Sequence, residues 1–399
     1  MVITGQFNDS LPPIMDGVAT TARNYAYWLN RNYAPSFAVG PRVPDFRDED
    51  DFTLRYRSLP SLIAAPYRLG VPRVDRNFNK AIESIPFDLV HAHCPFVSGN
   101  YAYTLARKRN IPMVATFHSK YRDDFASWMR LDITIEQAVA HVVKFYNHAD
   151  SLWVPNEAII ETLREYGYRG PVEYIPNGSD MAPEEDENLK SLELKGCEIL
   201  RVKNSLPVLI YVGQHRWIKN LRLLIKALAV SIKAGAEFNM RFVGDGPDIK
   251  EMKQLVMSLG LNTHVDFIGP VYNREELKAV YAASNLLTFP SLYDNASLVT
   301  REAAGFCVPT LFSREATTAA GIADGKDGFL SGDSVEEYGQ RIAEILSRPD
   351  HIRDVGAGAR ETLYKSWEDI VGIVYEKYQS IVDEYKWRQI RIHGFHKSP

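Results

Sequence analysis

Residues 289–309 read FPSLYDNASLVTREAAGFCVP, and the fold is decided there. The apolar run just before and into it, 286–290 (LLTFP), is stopped by proline as a buried strand would be. Downstream, Leu298, Val299, Ala303 and Phe306 recur at helical spacing, and the small residues Ala303, Ala304 and Gly305 let a helix lie close on a sheet. Between strand and helix stand Asp294, Asn295, Ala296 and Ser297. This mixture caps a helix and leaves its first N–H groups open to an anion, where the helix dipole favours negative charge. Asp294 and Glu302, eight positions apart, would on their own also suit paired acid–base chemistry.

The same strand-then-helix grammar runs along the whole chain. Apolar runs at 2–7, 37–40, 89–93 (LVHAH), 113–118 (MVATFH), 152–155 and 172–176 alternate with helical stretches, among them 17–30 with its stripe of Val18, Ala22, Tyr25 and Leu29. After a strongly charged stretch, 181–203, the alternation restarts with PVLIYV at 207–212, then 240–243, 265–268 and the opening stretch. Strands alternating with helices predict parallel sheets covered on both faces. The chain of 399 residues is too long for one core, which rarely exceeds roughly 250 to 300 residues. The expected fold is therefore α/β, two doubly wound domains in tandem, with the charged stretch as linker and the boundary near residue 190. Residues 334–391 read as almost entirely helical, and the aromatic stripe at 367–385 as core packing.

Composition narrows the function. A net charge of -4 argues against general nucleic-acid binding, which needs a basic surface. Three cysteines, Cys94, Cys197 and Cys307, make no disulfide framework and suit a reducing, cytoplasmic setting. The start, VITGQF, reads as a strand and not as a signal peptide. No apolar run reaches the roughly 18 residues a membrane span needs, so any membrane contact would be peripheral.

In open parallel sheets, ligands bind at the carboxyl ends of strands. Four candidates sit there. Asp16-Gly17-Val18 brings a glycine to a helix start, or is an ordinary loop. Gly213-Gln214-His215-Arg216-Trp217-Ile218-Lys219 follows PVLIYV and offers Arg216 and Lys219 to a phosphate, although such a lysine is often only solvated. Gly244-Asp245-Gly246-Pro247 lacks the third glycine of a dinucleotide fingerprint and reads better as a turn into a helix. His118, followed by Ser119, Lys120 and Tyr121, could touch a substrate hydroxyl or pack structurally. His91-Ala92-His93-Cys94 could in principle hold zinc, but no further ligands stand at metal spacing, and no metal is expected.

Taken together, these motifs resemble the GT-B retaining glycosyltransferases of glycosyltransferase family 4, along almost the whole chain. The family's PPxxxGV loop appears as Pro12, Pro13, Gly17 and Val18. The strand ending in His118, the Ile175-Pro176-Asn177-Gly178 junction, FVGDGP at 242–247, FIGPV at 267–271 and the acid-x7-acid motif follow in order. The pattern is nearest to members that glycosylate diacylglycerol-type lipids. The resemblance implies two Rossmann-like domains, 1–190 for the acceptor and 191–365 for the nucleotide sugar, facing across a cleft, with 366–399 returning to the first. It implies a hexosyltransferase that retains configuration, needs no metal and uses a nucleotide diphosphate sugar, a UDP-sugar first, with GDP- and ADP-sugars as alternatives.

On the same basis Glu302 would hold the ribose hydroxyls and Asp294 the transferred sugar. The N–H groups of Ala296, Ser297 and Leu298 would support sugar and pyrophosphate, beside Asn295. Lys219, with Gln214 or Arg216, would neutralise the leaving diphosphate next to Gly213, with Gly17 reaching it from the other domain. His118 would meet the donor sugar and Val271 would line the donor site. Three positions depart from the pattern: Asp294 stands where Glu is usual, Gln214 where Arg is common, and Asp16 where the first of two glycines is usual.

The acceptor is read from less. Residues 62–80 mix Ile63, Tyr67, Leu69 and Val71 with Arg68, Arg73, Arg76 and Lys80, a composition suited either to an anionic membrane surface or to a solvated helix face. Asp16, Lys120, Tyr121 and Arg68 are the expected acceptor-side residues, for a lipid or a saccharide hydroxyl. The expected location is cytoplasmic, peripheral at the inner face of the membrane. A nucleotide-sugar 2-epimerase, a zinc hydrolase using His91 and His93, and a non-catalytic nucleotide-sugar binder are the competing readings.

Overall fold

The computed structural model describes residues 1–14, 16–61, 67–126, 129, 131–184 and 188–395, with side chains to 391. The chain divides into two compact units, Met1–Gly178 together with Trp367 onward, and Ser179–Ser366. The first is built on strands β1 (Thr4–Phe7), β2 (Ser36–Pro41), β3 (Thr53–Tyr56), β6 (Leu89–Ala92), β7 (Met113–Thr116), β8 (Ser151–Val154) and β9 (Glu173–Tyr174); a small ribbon of β4 (Ser58–Pro60) and β5 (Arg68–Gly70) stands apart. The seven sheet strands run in the order β3-β2-β1-β6-β7-β8-β9 and every pairing is parallel.

The second unit has β10 (Val208–Val212), β11 (Asn239–Val243), β12 (Val265–Gly269), β13 (Leu286–Phe289), β14 (Thr310–Ser313) and β15 (Phe329–Ser331), in the order β12-β11-β10-β13-β14-β15, again all parallel. Both sheets therefore reverse winding direction once. The reversals lie between β1 and β6 and between β10 and β13. Such a switch point opens a crevice at the carboxyl ends of the two central strands, because the helices leaving them diverge to opposite faces. Buried apolar residues fill both faces of each sheet, Phe7, Val90, Ala115 and Trp153 in the first unit and Leu209, Tyr211, Phe242 and Leu287 in the second.

The charged stretch expected as a linker holds a helix, Leu189–Ile199, capped by the Asn188 side chain, so residue 190 falls inside the second unit. Its charge misleads because within the helix only Leu192 and Gly196 are fully buried, with Cys197 and Ile199 partly buried against the core. A Cβ on Gly196 would stand 1.9 Å from the Ala279 carbonyl, which shows how closely this helix lies on Arg274–Ala282.

The last helix, Trp367–Phe395, packs in the first unit beside the helix Gly17–Asn32. Its Tyr378 is fully buried and bonds to His91 at 2.6 Å, which ties the end of the chain to the first sheet. The aromatic stripe is thus core, as its spacing suggests. Among the described residues, no helix is long and apolar enough to cross a membrane.

Candidate functional site

In the second unit the loops at the switch point carry most of the expected donor residues. After β10 the backbone turns at Gly213, whose φ of +145° suits glycine alone. Gly244 lies against it so closely that a Cβ there would meet the Gly213 carbonyl at 2.1 Å. His215, fully buried, fastens the two loops: its N–H donates to the Asp245 carbonyl at 2.9 Å and its carbonyl accepts from Asp248 at 3.2 Å. The Gly244-Asp245-Gly246-Pro247 segment is thus a packed turn, as its missing glycine suggested. Gln214 and Arg216 are exposed on the same loop, and a short 3-10 turn, Trp217–Lys219, aims Lys219 back at the sheet.

Lys219 meets the loop after β13. Its ammonium donates to Asp294 Oδ1 at 2.6 Å and lies 4.6 Å from the Tyr293 ring, with both partners of the ion pair largely enclosed. Asn220, at φ 58°, donates to the Pro290 carbonyl and holds the two strand ends together. Beyond Asp294 the helix Leu298–Gly305 starts at Ser297, whose side chain makes no capping bond. The first turn thus lacks a side-chain cap from Ser297, unlike that of Val335–Leu346, where Ser334 and Glu337 form a full capping box.

Glu302 sits one turn into that helix and is only 6 % exposed. A carboxylate this enclosed needs partners, and it has two: Arg274 donates to Oε1 at 3.2 Å and the Tyr281 hydroxyl to Oε2 at 2.8 Å. Arg274 also pairs with Asp180. Burial opposes the charge on Arg274, but the two carboxylates outweigh it and raise its pKa. Burial, with Glu302 close by, pushes the Tyr281 phenol well up. Neither residue was singled out in the sequence, where Arg274 looks like a surface helix residue and Tyr281 like core. The signal available was the glutamate itself, placed where a helix turns inward. Val271 follows β12 and is half-buried against the apolar cluster under these loops.

In the first unit the switch point lies between β1 and β6. Gly17 opens its helix and Asp16 caps it, Oδ1 accepting from Ala19 N and Oδ2 from Ser10 Oγ, both at 2.7 Å. Burial pushes the Asp16 carboxyl up against these bonds. Its two oxygens are engaged within the unit, which accounts for the residue as a cap. Asp9 and Cys94, at the ends of the two strands, bond at 2.8 Å, and Ser98 N donates to Asp9 at 2.9 Å. His91 and His93 likewise have both ring nitrogens bonded to protein groups, so the His-Ala-His-Cys run is a buried network in place of a zinc site.

His118 follows β7 and its Nε2 lies 3.3 Å from His93 Nδ1. Lys120 is half-buried nearby in sequence. Tyr121 departs from the acceptor-side expectation: it is 4 % exposed, packs on Phe117, Phe96 and Phe125, and shares a hydroxyl bond of 3.0 Å with Tyr146. An aromatic after a strand end was read as substrate-facing when the short helix Tyr121–Ala126 turns it inward. Arg68 is likewise held by Ser58, at 2.7 Å, across the β4–β5 ribbon. Of the basic–apolar segment, Leu62 and Ile63 lie outside the described residues. The rest shows Arg73, Val74, Arg76 and Lys80 exposed, with Phe78 and Ile82 turned into the core. Leu59 and Leu69 face each other across the ribbon and are 55 % and 54 % exposed.

Two parallel sheets, each with one switch point, are the architecture of a GT-B protein. Residues 15–182 match Glycosyltransferase Family 4 and residues 198–362 match Glycosyl transferases group 1, and the chain belongs to this family of sugar-transferring enzymes. It is 24 % identical to the alpha-monoglucosyldiacylglycerol synthase of Streptococcus pneumoniae, over 87 % of this chain and 79 % of that one. Among solved structures it is similar to the sucrose-phosphate synthase of Thermosynechococcus elongatus, with a TM-score of 0.76, 18 % identity and coverage of 96 % and 100 % of the two chains. It is also similar to Anabaena HepE in complex with UDP, with a TM-score of 0.72, 18 % identity and coverage of 95 % and 100 %.

Proposed function

We propose that the protein moves a hexose from a UDP-sugar to a hydroxyl of a diacylglycerol-type membrane lipid, with retention of configuration. The observation that carries the donor half is the Lys219–Asp294 pair at the start of Leu298–Gly305, with Glu302 one turn further along the same helix. In this reading Glu302 accepts from the ribose hydroxyls and Asp294 from the hexose. The N–H groups of Ala296, Ser297 and Leu298, beside Asn295, cradle the sugar and pyrophosphate, and Lys219, with Arg216, takes up the growing negative charge. The bond from the anomeric carbon to the phosphate oxygen breaks through an oxocarbenium-like state while the acceptor oxygen bonds to that carbon. The acceptor's proton passes to the departing phosphate oxygen. Gln214 and the short arm of Asp294 mark where this chain reads its donor in its own way.

Support for a uridine donor comes from HepE, which has been solved with UDP and with UDP-glucose. The lipid acceptor is supported by the activity named for the pneumococcal relative and by the exposed Leu59–Leu69 pair in a chain that carries Arg73, Arg76 and Lys80 exposed close by in sequence. The direct test incubates the protein with UDP-glucose and vesicles holding diacylglycerol. Glucosylated lipid is the expected product, and turnover only with a soluble saccharide would overturn the acceptor assignment.

Two results follow for variants. His118→Ala is expected to lower kcat by about ten- to a hundredfold, with donor affinity within a fewfold of wild type, because the histidine meets only the sugar. Comparison of steady-state rates with calorimetric affinities checks this. Leu59→Ser with Leu69→Ser is expected to weaken binding to phosphatidylglycerol vesicles by about thirtyfold, since each half-exposed leucine adds on the order of 1 kcal/mol of apolar burial. Equal sedimentation of the variant and wild type with those vesicles would place the membrane contact elsewhere.

A further inference from the structure

We propose that Gln6 and His93 are positioning residues for His118, holding its imidazole as the Nε2–H tautomer through a buried hydrogen-bonded chain. The catalytic meaning of this chain rests on the transfer reaction proposed above. Gln6 stands on β1 opposite His91 on β6, with both side chains fully buried. His93 and His118 follow the ends of β6 and β7. The three imidazoles form a column: His91 stacks on His93 at 4.1 Å and His93 on His118 at 5.5 Å, each with planes 25° apart. Tyr25 packs on the first two rings and Trp153 on the first.

A column of this kind stays neutral, because protonated rings would repel one another and lose their hydration. Burial pushes His91 and His93 well down from the usual histidine range and His118 to about 3. A neutral imidazole carries one donor and one acceptor, so fixing one nitrogen fixes the other. The Gln6 amide nitrogen donates to Thr4 Oγ1 and Ser36 Oγ, each at 3.2 Å. Its oxygen therefore faces His93 Nε2, at 3.1 Å, and the Tyr378 hydroxyl, at 3.3 Å. An amide oxygen can only accept, so His93 carries its proton on Nε2 and offers the lone pair of Nδ1. That lone pair stands 3.3 Å from His118 Nε2, which must hold the proton. Whatever hydroxyl meets His118 Nδ1 must then donate to it. His118 on this account orients a sugar hydroxyl as an acceptor and delivers no proton, which agrees with the acceptor's proton ending on the leaving phosphate.

The test is a long-range nitrogen–proton correlation spectrum of the full chain labelled at histidine, with His118→Gln and His93→Asn spectra for assignment. Nε2–H at both His93 and His118 is expected in the wild type. Gln6→Met removes the oxygen that orders the chain and is expected to give mixed tautomers at both rings. It should lower kcat by about tenfold with donor KM changed by less than about threefold, as for a loss confined to the transition state. His93→Leu should act alike. His93→Asn, whose side-chain oxygen can stand in for Nδ1, should restore kcat to within about threefold of wild type. Nδ1–H at His118 in the wild type, or tautomers unmoved in Gln6→Met, would overturn the proposal. The predicted tautomers in a protein that turns over no nucleotide sugar would leave the chain standing and remove the proposed reaction.

Discussion

Glu302→Ala is expected to weaken donor binding by about two to four orders of magnitude. Both oxygens of this enclosed carboxylate accept one bond, from Arg274 and from Tyr281, and each has a second lone-pair site that suits a ribose hydroxyl. Hydrogen bonds to a charged acceptor are worth roughly 1.5 to 3 kcal/mol each, so losing two lowers affinity by about a hundred- to ten-thousandfold. Arg274 and Tyr281 do more than fill space in this arrangement. Arg274 gives the enclosed carboxylate a cationic partner, and Tyr281 fixes its plane. Alanine also orphans the Tyr281 hydroxyl, at a cost of about 1 to 3 kcal/mol of stability, so a thermal melt must accompany the titration. Glu302→Gln separates the two effects, since it can still occupy the space between its partners but lacks the charge. A folded Glu302→Ala protein with wild-type affinity for UDP would sink the ribose assignment.

Lys219→Met is expected to lower kcat by about a hundred- to a thousandfold while leaving much of the binding in place. The Asp294 carboxylate, 2.6 Å away, holds the lysine's charge close to the helix start. When the sugar–phosphate bond breaks, negative charge grows on the diphosphate, and a preorganised cation there matters far more in the transition state than in the bound donor. Losing one such group from a water-poor site typically costs about 2.7 to 4 kcal/mol. The variant also leaves Asp294 without its partner, where it would repel the diphosphate. Lys219→Met in an Asp294→Asn background isolates that second effect. A double variant as slow as the single one would assign the loss to the missing cation, whereas substantial recovery would assign it to the stranded carboxylate.

How much of this was legible in the chain depends on how far apart the partners stand in sequence. The strand, loop and helix of 289–309 are local, and their proline stop, capping residues and helical stripe suffice to read them. Alternation of apolar runs with helical stretches likewise carries the doubly wound architecture. The Lys219–Asp294 pair spans 75 residues, and its two halves could be named only as separate strand-end candidates. Arg274 and Tyr281 were missed because each looks ordinary on its own helix, and only the fold brings them to Glu302. Tyr121 was misread because its hydroxyl finds Tyr146, 25 residues on, in the core.

The charged stretch at 181–203 misled for a different reason. A helix that fully buries only Leu192 and a glycine, with Cys197 and Ile199 half-buried, has a weak apolar stripe, yet Gly196 lets it lie directly on Arg274–Ala282. Close backbone contact takes the place of side-chain burial, and pattern reading has no view of it. Gly305 is a second case: a Cβ there would strike the Met181 carbonyl at 1.7 Å, so the glycine in EAAGFC serves packing.

The most direct test of the central claim is a calorimetric titration of the wild-type protein with UDP-glucose, with GDP- and ADP-sugars in parallel. Saturable binding of one nucleotide sugar per chain is predicted, with the uridine compound preferred. Absence of binding by all of them would contradict the donor site built on Lys219, Asp294 and Glu302.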